Sequence, residues 1–288
     1  MKNVAFVTLD FSKEKQEMFR KNLGALFLFV LILSVGAGPK EDAQAFADSK
    51  DFVSELKIIN RYALSGEPWA QTRLGYMYYY GQALEVDFIQ AASWFRKAAE
   101  KGYAEAQREL GYIYSWGGRP GVPEDSSQAF AWLLKAAEQG DAEAQSEIGL
   151  RYSEKTDVHG YMSIAITWYR KAADQGYAHA QRNLGAIYRD GEGVPQDYSQ
   201  AIIWFRKAAE QGYSIAQTDL GKMYENGMGV SKDFVLAHMW YNLAVAYSDD
   251  KQIREWAIKD RSHIEELMTA EQIANAQKLA SNWAPVAK

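Results

Sequence analysis

The sequence predicts an all-α chain, an array of helix-turn-helix repeats, and two observations carry that prediction. "WFRKAAEKGYAEAQRELGYIY" (94–114) returns 110 residues later as "WFRKAAEQGYSIAQTDLGKMY" (204–224), with 14 of 21 positions identical. The pairs Leu74-Gly75, Leu110-Gly111, Ile148-Gly149, Leu184-Gly185 and Leu220-Gly221 then recur at spacings of 36, 38, 36 and 36 residues. A fixed period of this length means a repeat architecture, because each unit is one supersecondary element that needs a neighbour to bury its apolar face.

Within each unit the marks keep their places. A tyrosine follows three residues after the glycine: Tyr78, Tyr114, Tyr152, Tyr188 and Tyr224. Aromatic pairs come later at Trp94-Phe95, Trp168-Tyr169, Trp204-Phe205 and Trp240-Tyr241, with Trp132-Leu133 in the second unit. Ala98-Ala99, Ala136-Ala137, Ala172-Ala173 and Ala208-Ala209 close four of the second helices. The first helix shows Ala106, Leu110, Gly111 and Tyr114 on one face at i, i+4, i+5 and i+8. "GEGVPQD" (191–197) is the turn, and Gly212 has the freedom to end the second helix in the left-handed conformation. The 38-residue spacing places its two extra residues in "GGRPGVPED" (117–125), since a turn absorbs an insertion without rotating a buried face. A glycine inside a helix costs about 1 kcal/mol against alanine. Close approach of the helix axes at Gly111 is the expected return, with the aromatics filling the wider gaps.

The ends differ from the array. Arg20 and Lys21 precede an uncharged stretch from Leu23 to Val35, with small residues at Val35-Gly36-Ala37. Thirteen helical residues reach only about 20 Å, short of the ~30 Å membrane core. Residues 18–37 therefore read as a secretory signal peptide inside a 1–37 leader, with translation starting at Met18. The other reading is an uncleaved anchor or a buried helix. Residues 38–68 are a linker and an N-terminal half repeat, "KIINRYALSGEPWAQ" (57–71) matching a second helix alone. Residues 69–246 hold five repeats, and 247–288 form capping helices. Ile253, Trp256, Ile264 and Leu267 suggest one amphipathic helix. Thr269 and Gln272 have capping-box spacing ahead of a second, with Ile273, Ala276, Leu279 and Trp283 facing inward.

"AQRNLGAIYRDGEGVPQDYSQAIIWFRKAAEQG" (180–212) resembles the Sel1-like repeat family, relatives of the tetratricopeptide repeat: A-x-x-x-L-G-x-x-Y-x-x-G-x-G-V, an Asp after the turn, W-F, then A-A-x-x-G. Unit three departs from it, since "SEKTDVHGYM" (153–162) has no G-x-G-V turn. The resemblance implies a right-handed α/α superhelical solenoid that holds proteins or peptides along its concave side. The C-terminal "MTAEQI" also resembles bacterial members.

Composition narrows the chemistry. The net charge is −5, and the first 37 residues, with five basic and three acidic groups, leave −7 for the rest. Nucleic acid is therefore not the expected partner, because phosphate binding needs clustered Lys and Arg. With no cysteine, disulfides, thiolate zinc sites and a cysteine nucleophile are excluded. His159, His179, His238 and His263 have no ligand at metal-site spacing, so no metal or other cofactor is expected. Ser248 to Lys251 matches S-x-x-K, shared by penicillin-interacting enzymes. It lies beyond the last repeat without the K-T-G or S-D-N partners. Cysteine-rich relatives in the family are associated with β-lactam binding, and this chain lacks their cysteines. Phosphate-loop, H-E-x-x-H and nucleophile-elbow motifs are also missing from the sequence.

At about 100° per residue, one face of each first helix lies away from Leu-Gly, and by resemblance it lines the concave groove. In unit one it carries Trp69, Thr72, Tyr76, Tyr79 and Tyr80, and in unit two Glu105, Arg108, Tyr112, Ser115 and Trp116. Glu143, Ser146, Leu150, Ser153 and Glu154 follow in unit three. The later units present His179, Arg182, Ala186, Arg189 and Asp190, then Ile215, Thr218, Lys222, Glu225 and Asn226. Candidate partner contacts are Trp69, Tyr76, Tyr79, Tyr80, Arg108, Tyr112, Trp116, Arg182 and Arg189. Tyr and Trp combine large apolar area with a polar handle, and the arginines suit charged segments. For the N-terminal aromatics, packing on the half repeat is the competing role. The expected protein is a monomeric, exported, non-enzymatic scaffold for a protein or peptide, with no membrane span in its mature form. The alternative is an envelope protein acting hydrolytically on cell-wall glycan or β-lactams.

Overall fold

A computed structural model describes residues 38–115, 119–154 and 160–285. The chain divides into two compact units, Met1–Trp94 and Phe95–Lys288. Trp116 and His159 lie outside the described residues, as does the leader.

The first unit contains α1 (Pro39–Asp48), α2 (Phe52–Ser65), α3 (Pro68–Tyr80) and the beginning of α4 (Phe88–Glu100). Asp51 caps α2 by accepting from the Ser54 N–H, and Gly66 ends it at φ 96°. The α2 helix takes the part of a second repeat helix: Ile59 and Ala63 pack on Ala70, Leu74 and Met77 of α3. The Gln71 amide donates to the Ala63 carbonyl at 3.2 Å. Arg73 of α3 holds the buried Glu55 carboxylate. The sequence reading assigns no helix to residues 39–48, and α1 contributes one buried side chain, Ala43.

The second unit continues with α5 (Ala104–Ser115), α6 (Ser126–Glu138), α7 (Ala142–Ser153), α8 (Tyr161–Asp174), α9 (Ala178–Asp190), α10 (Tyr198–Ala209), α11 (Ser214–Asn226) and α12 (Phe234–Tyr247). The capping helices α13 (Lys251–Glu265) and α14 (Ala270–Ser281) follow. Odd-numbered α5 to α11 are the first, or A, helices of repeats two to five, and α6 to α12 are the B helices. Leu110, Ile148, Leu184 and Leu220 are fully buried. The partner glycines explain how. A Cβ added at Gly185 would sit 2.5 Å from the Phe205 ring, at Gly221 2.5 Å from Tyr241, and at Gly149 2.9 Å from Tyr169. At Gly111 it would meet Leu133 at 2.6 Å. The expectation that aromatics fill the wider gaps is thus corrected: the B-helix side chain occupies the space the glycine leaves, in the same repeat.

Neighbouring repeats are joined by two further devices. Gln107, Gln145, Gln181 and Gln217 each donate at 3.0–3.1 Å to the carbonyl of an alanine eight residues earlier, at the end of the preceding B helix. Gln139, Gln175 and Gln211 donate in turn to Gln107, Gln145 and Gln181 at 2.6–2.8 Å, extending the ladder one repeat onward. Arginines of the B helices reach the tyrosine hydroxyl of the next A helix: Arg96 to Tyr114, Arg170 to Tyr188 and Arg206 to Tyr224. Leu134 replaces the arginine before Tyr152, whose ring packs edge-on against Phe130 at 5.9 Å instead.

The turn chemistry follows the sequence. Gly191 and Gly193 both have φ of 72°, and Asp197 caps α10 by accepting from the Gln200 N–H at 3.0 Å. At the C-terminal end both capping-box bonds of Thr269 and Gln272 are present. Trp283 packs edge-on against Tyr247 at 5.1 Å and Trp240 at 6.2 Å, covering the last repeat. Trp256, Leu267 and Leu279 are exposed rather than inward-facing. The α13 helix seats itself through the narrower stripe of Ala257 and Ile264, which leaves its larger apolar side chains on the flank.

Candidate binding surface

The stacking contacts use one side of each A helix. On the other side of α5, α7, α9 and α11 the side chains reach along the row to the next A helix. The Arg108 guanidinium donates to Asp141 and Glu109 at 2.8 Å and stands 3.4 Å from Glu143. Burial opposes its charge, but Asp141, Glu109 and Glu143 together hold its pKa above the ordinary arginine value. The Tyr112 hydroxyl donates to Glu143 at 3.2 Å, and Arg151 donates to the Ser115 hydroxyl at 2.6 Å. Ser146 meets His179 Nδ1 at 2.9 Å. Arg182 and Arg189 share the buried carboxylate of Asp219 at 2.7 and 3.2 Å, and Arg189 also grips Asp190 through two bonds. Lys222 closes the row on Asp260 of α13 at 3.3 Å.

Arg108, Arg182 and Arg189, predicted as partner contacts, therefore also tie one A helix to the next. Tyr112 lies among them, half-buried. Tyr76, Tyr79 and Tyr80 form a cluster of their own within the first unit: Tyr76 and Tyr80 stack at 6.1 Å, Tyr79 stands edge-on to Tyr80 at 4.9 Å and to Phe88 at 5.3 Å. Tyr80 is 62% exposed. Trp69 is half-buried against the core with its ring 5.7 Å from Tyr62, so its packing role is visible.

Two phenols on this face escaped the sequence reading. Tyr177 and Tyr213 precede the first residues of α9 and α11, in the recurrent Gly-Tyr step of "QGYAHA" and "QGYSIA". A wheel drawn on helical residues alone leaves them out, although their exact 36-residue spacing was a usable signal. The His179 ring lies between them, 6.2 Å from Tyr177 and 6.3 Å from Tyr213. Burial, then Glu143 and Tyr213, pushes Tyr177 up to about 12, and burial with Glu143 and Glu147 raises Tyr112 as well. Burial and then Arg182 lower His179 below its ordinary 6.5. A histidine that is harder to protonate in the folded chain than in the unfolded one stabilises the fold above pH 6.5. That contribution is lost as pH falls from there through the lowered folded value. Denaturant midpoints measured from pH 7.5 to 5 are expected to fall more steeply for the native chain than for His179→Gln.

His238 serves packing. The buried His238 bonds Glu265 of α13 at 2.7 Å through Nε2 and Asn242 through Nδ1 at 2.9 Å, a pairing 27 residues apart that spacing could not reveal. The Ser248 hydroxyl donates to the Asp250 carbonyl at 3.0 Å, and the Lys251 ammonium stands 3.7 Å from Glu255. The S-x-x-K pair is thus spent on a helix start and a surface ion pair. Among the described residues, no group of three His, Asp or Glu is arranged to hold a metal, and no helix is long and apolar enough to cross a membrane.

The Sel1 repeat family model matches residues 70–103, 104–141, 162–177, 178–213 and 214–246, more than half of the chain. The chain belongs to the Sel1 repeat family. The third match is the shortest, in the repeat whose turn departs from the pattern. This Sel1 protein is similar to the crystal structure of c5321, a protective antigen present in uropathogenic Escherichia coli strains, at 37% identity and a TM-score of 0.74. That match covers 80% of this chain and 49% of c5321, so the Sel1 chain spans about half of that protein's length. A Sel1 repeat protein from Oxalobacter formigenes matches at 28% identity and a TM-score of 0.71, covering 85% of this chain and 97% of the other. No curated protein matches. The fold class is accordingly the all-α solenoid of helix-turn-helix repeats. Sel1 repeat proteins generally mediate protein–protein interaction, and the family's scaffolds are typically non-catalytic.

Proposed function

We propose that this Sel1 repeat protein is an exported, non-enzymatic scaffold that binds a protein or peptide segment along the outward side of its A helices. One observation carries the reading. Stacking consumes the Leu-Gly side of each A helix, while the opposite side keeps a half-exposed run of Tyr112, Tyr177, His179 and Tyr213 within the second unit. Phenol and imidazole rings offer contact area with hydrogen-bonding edges at low entropic cost, the pattern of interface hot spots. In the first unit Tyr76 and Tyr80 supply a second stacked pair. Export rests on the basic start and apolar stretch of residues 18–37, and sequencing the amino terminus of the mature protein tests it: a start beyond residue 37 supports a cleaved leader.

Partner capture from the native host's extract tests the binding surface. Tyr112→Ala combined with Tyr213→Ala is expected to lower capture by about tenfold or more, since each hot-spot ring is worth ~2 kcal/mol. Lys135→Ala combined with Lys207→Ala, which removes cations from the B-helix tryptophans Trp132 and Trp204, is expected to leave capture unchanged. The reverse pattern would move the partner to the B-helix side.

A further inference from the structure

We propose that Arg182, His179 and Tyr213 form a binding site for a carboxylate, presented by an acidic side chain of a bound peptide segment. The inference rests on the A-helix face being the partner surface and names the chemistry of one position on it. A guanidinium carries five N–H donors. Arg182 gives its Nε–H to Asp219 at 2.7 Å, and its two Nη groups have no acceptor among the described residues. Its side chain is 28% exposed. Three residues earlier on the same helix, and so beside it, His179 has Nδ1 within reach of Ser146 at 2.9 Å and of the Asn183 amide nitrogen at 3.3 Å. An amide N–H can only donate, so Nδ1 accepts and the ring proton sits on Nε2 as a further donor. The Tyr213 hydroxyl also has no bonded partner among the described residues, and its ring is edge-on to His179 at 6.3 Å.

The acceptors nearby are taken. Asp219 receives Arg182 on one oxygen and Arg189 on the other, and both Asp190 oxygens receive Arg189. Two arginines and two aspartates leave the place electrically balanced, with every carboxylate oxygen already engaged by an arginine and with N–H and O–H donors left over. A ligand that satisfies it must bring acceptors, and a carboxylate matches the planar fork of a guanidinium best. Burial first, and Arg182 after it, lower the His179 pKa, which keeps the ring neutral beside the guanidinium. At the Arg108 end the situation is reversed, because one guanidinium stands among Glu109, Asp141 and Glu143.

Three capped, extended peptides differing only in a central Glu, Gln or Lys test the site, each titrated into the full chain with nitrogen-labelled histidine. The Glu peptide alone is expected to shift the His179 Nε2 resonance. Its affinity is expected to drop about tenfold in Arg182→Gln, as loss of one charge-assisted bond requires, and to weaken in Tyr213→Phe, which keeps the ring. Equal shifts from the Gln or Lys peptide, or a Glu titration unaltered by Arg182→Gln, would overturn the site. A Lys peptide that binds with His179 silent but is weakened by Tyr112→Ala would also remove the carboxylate site while keeping peptide binding on this face. No His179 shift with any peptide refutes the proposal outright.

Discussion

Phe205→Ala is expected to lower stability by about 3–5 kcal/mol, the cost of emptying a fully buried aromatic site. Its ring has no solvent exposure and fills the hollow over Gly185 while joining the core of repeats four and five. The loss reads as a shift of the urea midpoint. A companion change separates ring packing from general core loss. Gly185→Ala alone puts a Cβ 2.5 Å from the ring, and overpacking of this kind costs about 1–3 kcal/mol. In the Phe205→Ala background the same substitution meets no ring and gains about 1 kcal/mol of helix propensity. The sign of the Gly185→Ala effect is therefore expected to reverse between the two backgrounds. A cost that stays the same in both would mean that the glycine is not there for the ring.

The second large effect is expected at Gln145. Its amide donates to the Ala137 carbonyl at 3.0 Å and its oxygen accepts from Gln175 at 2.8 Å. Gln145→Leu keeps the volume and deletes both bonds, for a cost of about 2 kcal/mol at ~1 kcal/mol each. This junction has less to fall back on than its neighbours, because Leu134 stands where other repeats put the arginine that holds the next tyrosine. In a solenoid, stability is close to a sum of repeat and nearest-neighbour terms. Hydrogen exchange should therefore accelerate most in α6 to α8 in this variant. Gln181→Leu, where Arg170 still bonds Tyr188 at 2.6 Å, is expected to be milder.

The fold was legible because stacking imposes the same demand five times. In repeats two to five a glycine of the A helix lies under a bulky B-helix side chain, and an aspartate caps the B helix of every repeat but the third, so the demand repeats in the letters. Ala70-Gln71, Ala106-Gln107, Ala144-Gln145, Ala180-Gln181 and Ala216-Gln217 repeat just as strictly. A hydrophobicity pattern counts those glutamines as surface, and their burial under hydrogen bonds to helix-end carbonyls shows only in three dimensions. The candidate surface was less legible. Its links do not keep one pair of residue types from step to step: Arg108 to Asp141, Ser146 to His179, Arg182 to Asp219, Lys222 to Asp260. Residues 33 to 38 apart, with partners and separations that change along the row, leave no fixed period to read. Trp256 misled for another reason, since α13 buries only the narrow stripe of Ala257 and Ile264 and leaves Trp256 and Ile258 beside it.

Site-specific photocross-linking tests the central claim most directly. A photoreactive phenylalanine analogue placed at Tyr112 or Lys222, on the A-helix side, is compared with one at Lys207 on the B-helix side, each in the full chain exposed to its native extract. The same partner adduct is expected from positions 112 and 222 and none from 207. Adducts from 207 with none from 112 or 222 would place the partner on the other side and contradict that claim.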